Sequence, residues 1–397
     1  MKPVIYRELK NLPGYWTIMA FFGFLIILGA GAFFYVEHYG HAVTGLNNQI
    51  VWGIPHIFAI LLIVAASGAL NVASIFSVFN QKAYKPLSRF SAVLAVSLLA
   101  GGLAILVLDL GRPDRLIVAM TKYNFKSIFA WNIYLYTGFF AVVIIYLFTM
   151  LEPKANKYIK VAGTSAFLWR LILTMGTGSI FAFIIARQAF DAAILAPTFI
   201  VFSFALGTSV FLLLLISIYC ATTNELCFDI VNRLRNLLGV FVASVLFFVV
   251  IYNFTNLYAT EHHGLEEFIL FSGSTYTVIF WLGQVFIGYI IPLILIFAHP
   301  FDKSTNALIT AAILVVIGGI AQLYVLIIGG QAYPLVLFPN SEVSSSFSDG
   351  IINSYTPSLP EFLLGLGGIG LALAIFFTVV RVLPILPDCI KEEHIVK

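Results

Sequence analysis

Long apolar blocks alternate with short polar intervals along the whole chain, and the blocks lack the one-on, one-off alternation of a half-buried strand. A helix that crosses a bilayer core needs about 20 predominantly apolar residues. Ten blocks reach that scale: 15–36, 54–79, 86–108, 128–151, 163–187, 195–220, 237–258, 268–298, 305–329 and 361–383. In lipid, backbone N–H and C=O groups must be satisfied within a helix or a closed barrel, and continuous apolarity without a period of two selects helices. The expected fold is an all-α integral membrane protein, a single polytopic membrane domain over 1–397 with about ten transmembrane helices.

Composition strengthens this reading. Of 397 residues 61% are hydrophobic and 10% charged, and the mean hydropathy of +1.01 leaves no room for a soluble domain. The leading segment MKPVIYRELKNLPGYW carries Lys2, Arg7 and Lys10, and no small-residue cleavage site follows its apolar run. That run is expected to stay as a span rather than be removed as a signal peptide.

Charge then orients the chain. Lys and Arg concentrate on cytoplasmic segments. The N-terminus, the segments near 80–89, 152–160, 221–236 and 299–304, and the C-terminal end hold 15 basic residues, whereas the alternate set holds 5. Both termini are expected in the cytoplasm, with the protein in the inner membrane. Four of the five exceptions, Arg112, Arg115, Lys122 and Lys126, fall in one stretch, LDLGRPDRLIVAMTKYNFK. They oppose the topological rule, which points to a purpose other than orientation.

The three cysteines, Cys220, Cys227 and Cys389, form no CxxC or CxxCH pattern, so no thiolate-held zinc, iron–sulfur cluster or covalent haem is expected. Two stacked b haems would need histidines from facing helices deep in the membrane. Among His38, His41, His56, His262, His263, His299 and His394 only His56 stands even one turn inside a span. A single haem near the outer face, between His41 and His56 or His262, is the remaining haem arrangement. Otherwise another subunit holds the metal centres.

Five histidines fall on the predicted outer side together with Asp109 and Arg112, a titratable cluster suited to proton exchange near neutral pH. His38, His262 and His263 also fit an ordinary polar loop. In WGIPHIFAILLIVAASGALNVASIF, Pro55 fits the first helical turn and His56 follows it. Ser67 and Ser74 lie near the His56 face and Asn71 close by, while Ala65, Gly68, Ala69 and Ala73 form a small-residue seam for helix packing. The serines read as packing residues and His56 as functional.

Asp109 ends the third block, and the Gly–Arg–Pro sequence after it breaks the helix and lets Arg112 turn back toward that carboxylate. KYNFKSIFAWNIYLY then mixes Tyr123, Trp131, Tyr134 and Tyr136 with Asn124 and Asn132. Aromatic walls with hydrogen-bond donors and a nearby proton acceptor suit a quinone; an interfacial aromatic belt is the plainer account. Arg170, two turns into the fifth block, is placed to snorkel or pair. Gln284 and Gln322 read as packing amides, and Asn224, Glu225 and Asp229 as a solvated helix end. Arg187, Gln188 and Asp191 sit where they can line the His56 vestibule. The segment 330–360, with SEVSSSFSDG, reads as a partner-docking or merely solvated loop.

The GxPH at the start of a span, the helix ending in LDLGRP and the aromatic, Asn-rich helix after it resemble the NrfD or polysulfide reductase membrane-subunit family. HAVTGLNNQIVWGIPH, IVAASGALNVAS and LDLGRPDRLIVAMTKYNFKSIFAWN are similar to its DsrP branch, over about residues 41–140. The resemblance implies two four-helix bundles, about 54–187 and 195–329, with flanking helices 15–36 and 361–383. It implies an exchangeable menaquinone or ubiquinone near the periplasmic face, and no haem or iron–sulfur cluster bound by the chain itself. The implied partners are a periplasmic ferredoxin-like iron–sulfur subunit, a multihaem cytochrome c, and further membrane and cytoplasmic subunits in sulfur-compound metabolism. The lipid membrane surrounds the chain, and no nucleic acid is involved.

Carried over residue by residue, His56 and Asp109 are the proton-exchanging pair, with Arg112 tuning Asp109. His41, Trp52, Arg112, Tyr123, Asn124, Trp131 and Asn132 are the candidate cofactor-binding residues. Gly53 stands where some relatives carry asparagine, which leaves carbonyl recognition to Asn47, Asn48 or Asn124. The rival is a ten-helix secondary transporter for an anion using Arg112, Arg115 and Arg170, although no inverted repeat is evident. A purely structural membrane anchor is the third reading.

Overall fold

The computed structural model describes residues 5–10, 12–222, 228–335 and 350–387. Cys227, Cys389, His394, Asn224, Glu225 and most of the SEVSSSFSDG loop lie outside the described residues. Among the described residues ten helices are long and apolar enough to cross a membrane: α1 Tyr15–Tyr39, α2 Ile54–Ser77, α3 Lys82–Leu108, α4 Ile128–Leu151, α5 Pro153–Ala182, α6 Leu195–Ala221, α7 Asp229–Tyr258, α8 Thr275–Phe297, α9 Thr305–Ala332 and α10 Leu359–Val382.

These are the ten blocks read from hydropathy with shifted ends: the fifth and seventh helices start earlier, at Pro153 and Asp229 rather than 163 and 237, and two other ends fall short. The fifth helix stops at Ala182 rather than 187, and the eighth starts at Thr275 rather than 268. At the second of these sites Gly273 takes a positive φ of 69° and Ser274 caps the new helix by accepting from Thr277 N. Apolarity continues through both breaks, so hydropathy alone reads across them.

Packing divides the helices. α2 to α5 contact one another, as do α6 to α9, and α2 packs along α6 between the two groups. α1 lies on α10, which in turn rests on α3 and α2. The most apolar 18-residue stretch of α2 is wholly buried, whereas 17% of the corresponding α1 stretch is buried. α2 is the central post of the molecule, and α1 is left largely to lipid.

Close approach of α2 to α6 depends on two glycines. A Cβ on Gly68 would lie 1.6 Å from the Ser203 carbonyl oxygen, and one on Gly207 would lie 2.0 Å from the Gly68 carbonyl carbon. This is the small-residue seam read from the sequence, with α6 as its partner. Ser67 bonds to Thr174 and to the Arg170 carbonyl on α5, and Ser74 bonds back to the Leu70 carbonyl of its own helix. The described segments beyond α1 and α10 meet as a two-stranded antiparallel ribbon, β1 Tyr6–Arg7 against β2 Leu386–Pro387, which puts both at one face.

Candidate functional site

The loop that leads into α2 is held by side chains rather than by regular structure. The Asn47 carboxamide oxygen accepts from Gln49 N at 2.9 Å and Ile50 N at 2.7 Å, closing a tight turn. Gln331, at the end of α9, accepts from Val51 N at 2.9 Å and Trp52 N at 3.0 Å and donates to the Trp52 carbonyl at 3.0 Å. Buried Gln49 donates to the carbonyls of Gln331 and Ala332, both at 3.0 Å. Arg187 donates to the Gln49 carbonyl at 2.7 Å and the Gln331 carbonyl at 3.1 Å.

The first free amide of α2, Ile54 N, donates to the Tyr355 hydroxyl at 2.9 Å. That hydroxyl donates to Glu361 at 2.7 Å, and the other Glu361 oxygen accepts from Gly45 N and Ser358 N. Long-range side chains thus satisfy a non-helical backbone near the membrane face. Their consequence is a fixed position for Trp52 and His56.

His56 meets Asp109 at this point. The His56 Nδ1 to Asp109 Oδ2 separation is 2.8 Å, a close contact that falls short of an aligned hydrogen bond. Asp109 is the residue that ends α3, and its amide still bonds to the Ile105 carbonyl at 2.9 Å. The imidazole stacks on the Trp52 indole with ring centroids 5.9 Å apart and planes at 26°. Trp52 in turn touches the rings of Phe129, Phe181 and Phe190.

Beside the pair opens a cavity of about 440 Å³, lined by Trp52, His56 and Ile60 of the α2 end, Leu103, Leu106 and Val107 of α3, Phe129, Asn132, Ile133, Tyr136 and Thr137 of α4, Ile180 and Phe181 of α5, and Leu110, Leu116 and Met120 of the loop after α3. Its size lies within the range of small-molecule sites, which are apolar and aromatic with few polar groups. Leu116 and Met120 come from a short helix, Leu116–Thr121, that covers the cavity.

The predicted site residues separate into two sets. Trp52, His56 and Asn132 line the cavity, and Asp109 contacts His56. The Asn132 amide donates to the carbonyls of Ile128 at 2.9 Å and Gly176 at 3.1 Å, which leaves its buried Oδ1 as a free acceptor. His41 packs against the Gly111 backbone of the LDLGRPDR turn. The other residues point elsewhere.

Arg112 requires a correction. Instead of returning to Asp109, its guanidinium forks onto Asp114, with Nε–Oδ1 and Nη2–Oδ2 distances of 3.1 and 3.2 Å in the open. That hydrogen bond holds the Asp114 carboxyl below its ordinary range. The Pro113–Arg115 turn keeps the two side chains local, so Asp109 is left to His56.

Tyr123, Asn124 and Trp131 also stand outside the cavity lining. Asn124 caps its own loop by accepting from Lys126 N at 3.0 Å, and Trp131 is half exposed, donating to the Phe125 carbonyl at 3.0 Å. Tyr123 packs edge-on to Phe125, Trp131 and Tyr134. This group is the interfacial belt.

Sequence reasoning missed Gln331, Gln49 and Tyr355, whose role is set by partners some 280 to 300 residues away. Glu361 carried a signal, since Ser358 and Glu361 form a capping box at the α10 start. Arg187 holds the loop before Trp52 rather than facing a ligand.

Arg170 neither snorkels nor pairs with an acid. It is buried, donates to the Asn71 side chain and to the Ser67 carbonyl at 3.3 Å, and lies between the rings of Phe167 and Phe204. It therefore does not converge with the exposed Arg112 and Arg115, as an anion transporter's ligands would. Among the described residues no group of three or more His, Cys, Asp or Glu could hold a metal ion.

The comparisons with known proteins agree with this architecture. The family described as Polysulphide reductase, NrfD matches residues 42–334. The Hdr-like menaquinol oxidoreductase integral membrane subunit of Archaeoglobus fulgidus is 29% identical over 97% of this chain and 98% of its own length. A selenate reductase subunit of Mesobacillus selenatarsenatis is 22% identical over 97% and 96%. A polysulfide reductase chain of Wolinella succinogenes is 23% identical over 72% of this chain and 96% of its own. With most of its length inside that family match and ten spanning helices around it, the chain belongs to the NrfD, or polysulphide reductase, family of membrane proteins.

Proposed function

We propose that this chain is the quinone-interacting membrane subunit of an oxidoreductase complex and that menaquinone or ubiquinone binds in the cavity beside His56. The observation that carries this reading is the His56–Asp109 contact at the edge of a 440 Å³ aromatic and aliphatic cavity. A quinone, when bound, supplies two-electron, two-proton redox chemistry.

The residues present fit such a group. Phe129, Phe181, Ile133 and the leucines offer walls for a flat ring and an isoprenoid tail. With Nδ1 held toward the carboxylate, Nε2 is the ring nitrogen left for the ligand. His56 takes a proton there when a hydroxyl is oxidised and returns one in the reverse direction, with the Asp109 carboxyl against its other ring nitrogen. Asn132 Oδ1 is a buried acceptor on the same wall. Trp52 orients the imidazole by stacking.

The bias of basic residues supports a periplasmic position for this end and cytoplasmic termini in an inner membrane. Relatives named as oxidoreductase subunits support partner chains that carry the electrons. The resemblance to the DsrP branch favours a ferredoxin-like iron–sulfur subunit and a multihaem cytochrome c, in sulfur-compound metabolism.

The test is fluorescence-quench titration with a quinone-analogue inhibitor, comparing wild type with His56→Ala and Asp109→Asn. Retained helical melting in the variants with binding weakened tenfold or more supports the site. Unchanged binding in both variants removes it.

A further inference from the structure

Away from the His56 cavity, the α6–α9 group buries a carboxyl group without giving it a cation. Glu266 follows α7, in the short helix His263–Glu266, and is 1% exposed. Asn256 of α7 donates to its Oε1 at 2.8 Å, while Oε2 is buried and has no partner. Among the described residues no ion pair reaches it.

A second cavity, of about 60 Å³, opens beside Glu266, with Thr198, Tyr252, Asn253, Gln284 and Gln322 as polar lining. One water needs roughly 10–15 Å³ of such space and two to four polar partners, so this cavity has room and partners for a few. An apolar void of that size would stay dry; this one has amides and a carboxyl on its walls.

The backbone opens around the same point. Three π-helical stretches, Glu267–Phe271, Ile279–Ile290 and Tyr324–Gly329, each send a residue to the lining: Ile269, Gln284 and Val325. Pro292 accounts for part of the second, because it lacks an N–H and crowds the preceding turn. Such widened turns concentrate at functional sites.

Among the described residues no Lys or Arg pairs with Glu266; the groups around it are amides, hydroxyls, acids and two histidines. From α7, Tyr252 has its hydroxyl committed to the Ala189 carbonyl at 2.9 Å. From α8 and α9 come Gln284 and Gln322, the latter accepting from Tyr289; Tyr276 and Tyr324 of the same helices pack ring on ring. Its own segment carries His262, His263, Glu261 and Glu267, and Tyr333 packs on Gly264. Burial with only an amide donor pushes the Glu266 carboxyl up to about 7.

We propose that Glu266 is a proton-binding site, a carboxylic acid that exchanges its proton with water in the second cavity. On release, the carboxyl O–H bond breaks with its electron pair left on Glu266, and a cavity water becomes hydronium; uptake is the reverse. The site is distinct from the His56 cavity and independent of the quinone reading. Phe190 stands behind both linings, packing on Gly330 of this cavity and on Trp52 of the other.

The experiment is an infrared pH titration of the full chain in lipid nanodiscs. The expected result is a carbonyl stretch of a protonated carboxylic acid that shifts in D2O, titrates with a midpoint near 7, and vanishes in Glu266→Gln. Glu266→Asp keeps a shifted band and guards against loss through misfolding. His56→Ala retains the band, which separates this site from the quinone proposal. A wild type with no such band near neutrality, or a band that survives Glu266→Gln, overturns the assignment. So does a midpoint that falls as sodium replaces potassium at fixed ionic strength, which would mark a cation site instead.

Discussion

Asp109 and Glu266 are carboxyl groups just beyond spanning helices, on connections that the alternation of spans puts at the same end of the molecule, yet their surroundings differ in kind. Asp109 closes α3 with the His56 imidazole 2.8 Å away and a 440 Å³ cavity beside the pair. Glu266 has one amide donor, an unpartnered oxygen and a 60 Å³ cavity. A carboxylate with a neighbour that can become cationic can take part in moving a ligand's proton. One whose single hydrogen-bond partner is an amide is favoured in its protonated form by burial. Partner and cavity size, rather than residue type, divide the two roles.

Removing the imidazole breaks the comparison most sharply. His56→Ala is expected to lower quinol-driven turnover of the assembled complex on the order of 10²- to 10⁴-fold, the usual contribution of a positioned acid–base group. Steady-state reduction of the partner's electron carrier measures it. A loss of less than about threefold in a folded variant would leave the His56–Asp109 pair without a chemical role.

Glu266 contributes through the pH dependence of stability. Its carboxyl is near 7 in the folded protein against an ordinary 4.5, so between those values the native state holds more protons than the unfolded one. Stability from this group therefore falls as pH rises through that window and levels off above it. The full difference is about 3 kcal/mol as an order of magnitude. Thermal unfolding of detergent-solubilised protein should show a fall in Tm from pH ~5 to ~8 that is flattened in Glu266→Gln. Parallel slopes in the two proteins would show that Glu266 does not titrate there.

The loop clamp sharpens the first half of the comparison. Gln331→Ala leaves the partly exposed amides of Val51 and Trp52 without their acceptor, so that water must replace it and the turn loses its tie to the end of α9. The expected outcome is quinone-analogue affinity weakened about tenfold through a displaced Trp52, with the Glu266 infrared band unchanged. Equal loss of both signals would mean that the substitution unfolds the end of α9 instead.

Hydropathy made the ten spans legible because lipid demands long internally satisfied helices, and it failed at Ala182 and Gly273, where apolarity continues past the break. The juxtaposition of His56, Asp109 and Asn132 around one cavity follows positions that Pro55 in the first turn, the Gly–Arg–Pro stop and the Asn-containing helix start had marked as candidates. Gln331 and Tyr355 were not marked, since their role depends on amides reached only after the chain returns from α9 and α10. Tyr123, Asn124 and Trp131 share composition with a binding wall and with an interfacial belt, and only packing distinguishes the two. Glu266 carried no signal in the sequence, because burial leaves no mark there.

The smallest expected effect tests the position of Arg112. The run LDLGRPDR invites an Asp109–Arg112 pair, but Pro113 starts a tight turn that sets Arg112 beside Asp114 and carries both into solvent. An exposed ion pair contributes little to stability and weakens with salt. Arg112→Ala should therefore leave analogue affinity and turnover within about twofold of wild type, and Asp114→Asn should match it, because each variant breaks the same exposed pair. If Arg112→Ala instead reproduced the loss seen in Asp109→Asn while Asp114→Asn did not, Arg112 would have to swing inward when ligand binds. The His56–Asp109 pair would then be a triad in the working complex, and the contrast with Glu266 would rest on three charged partners rather than two.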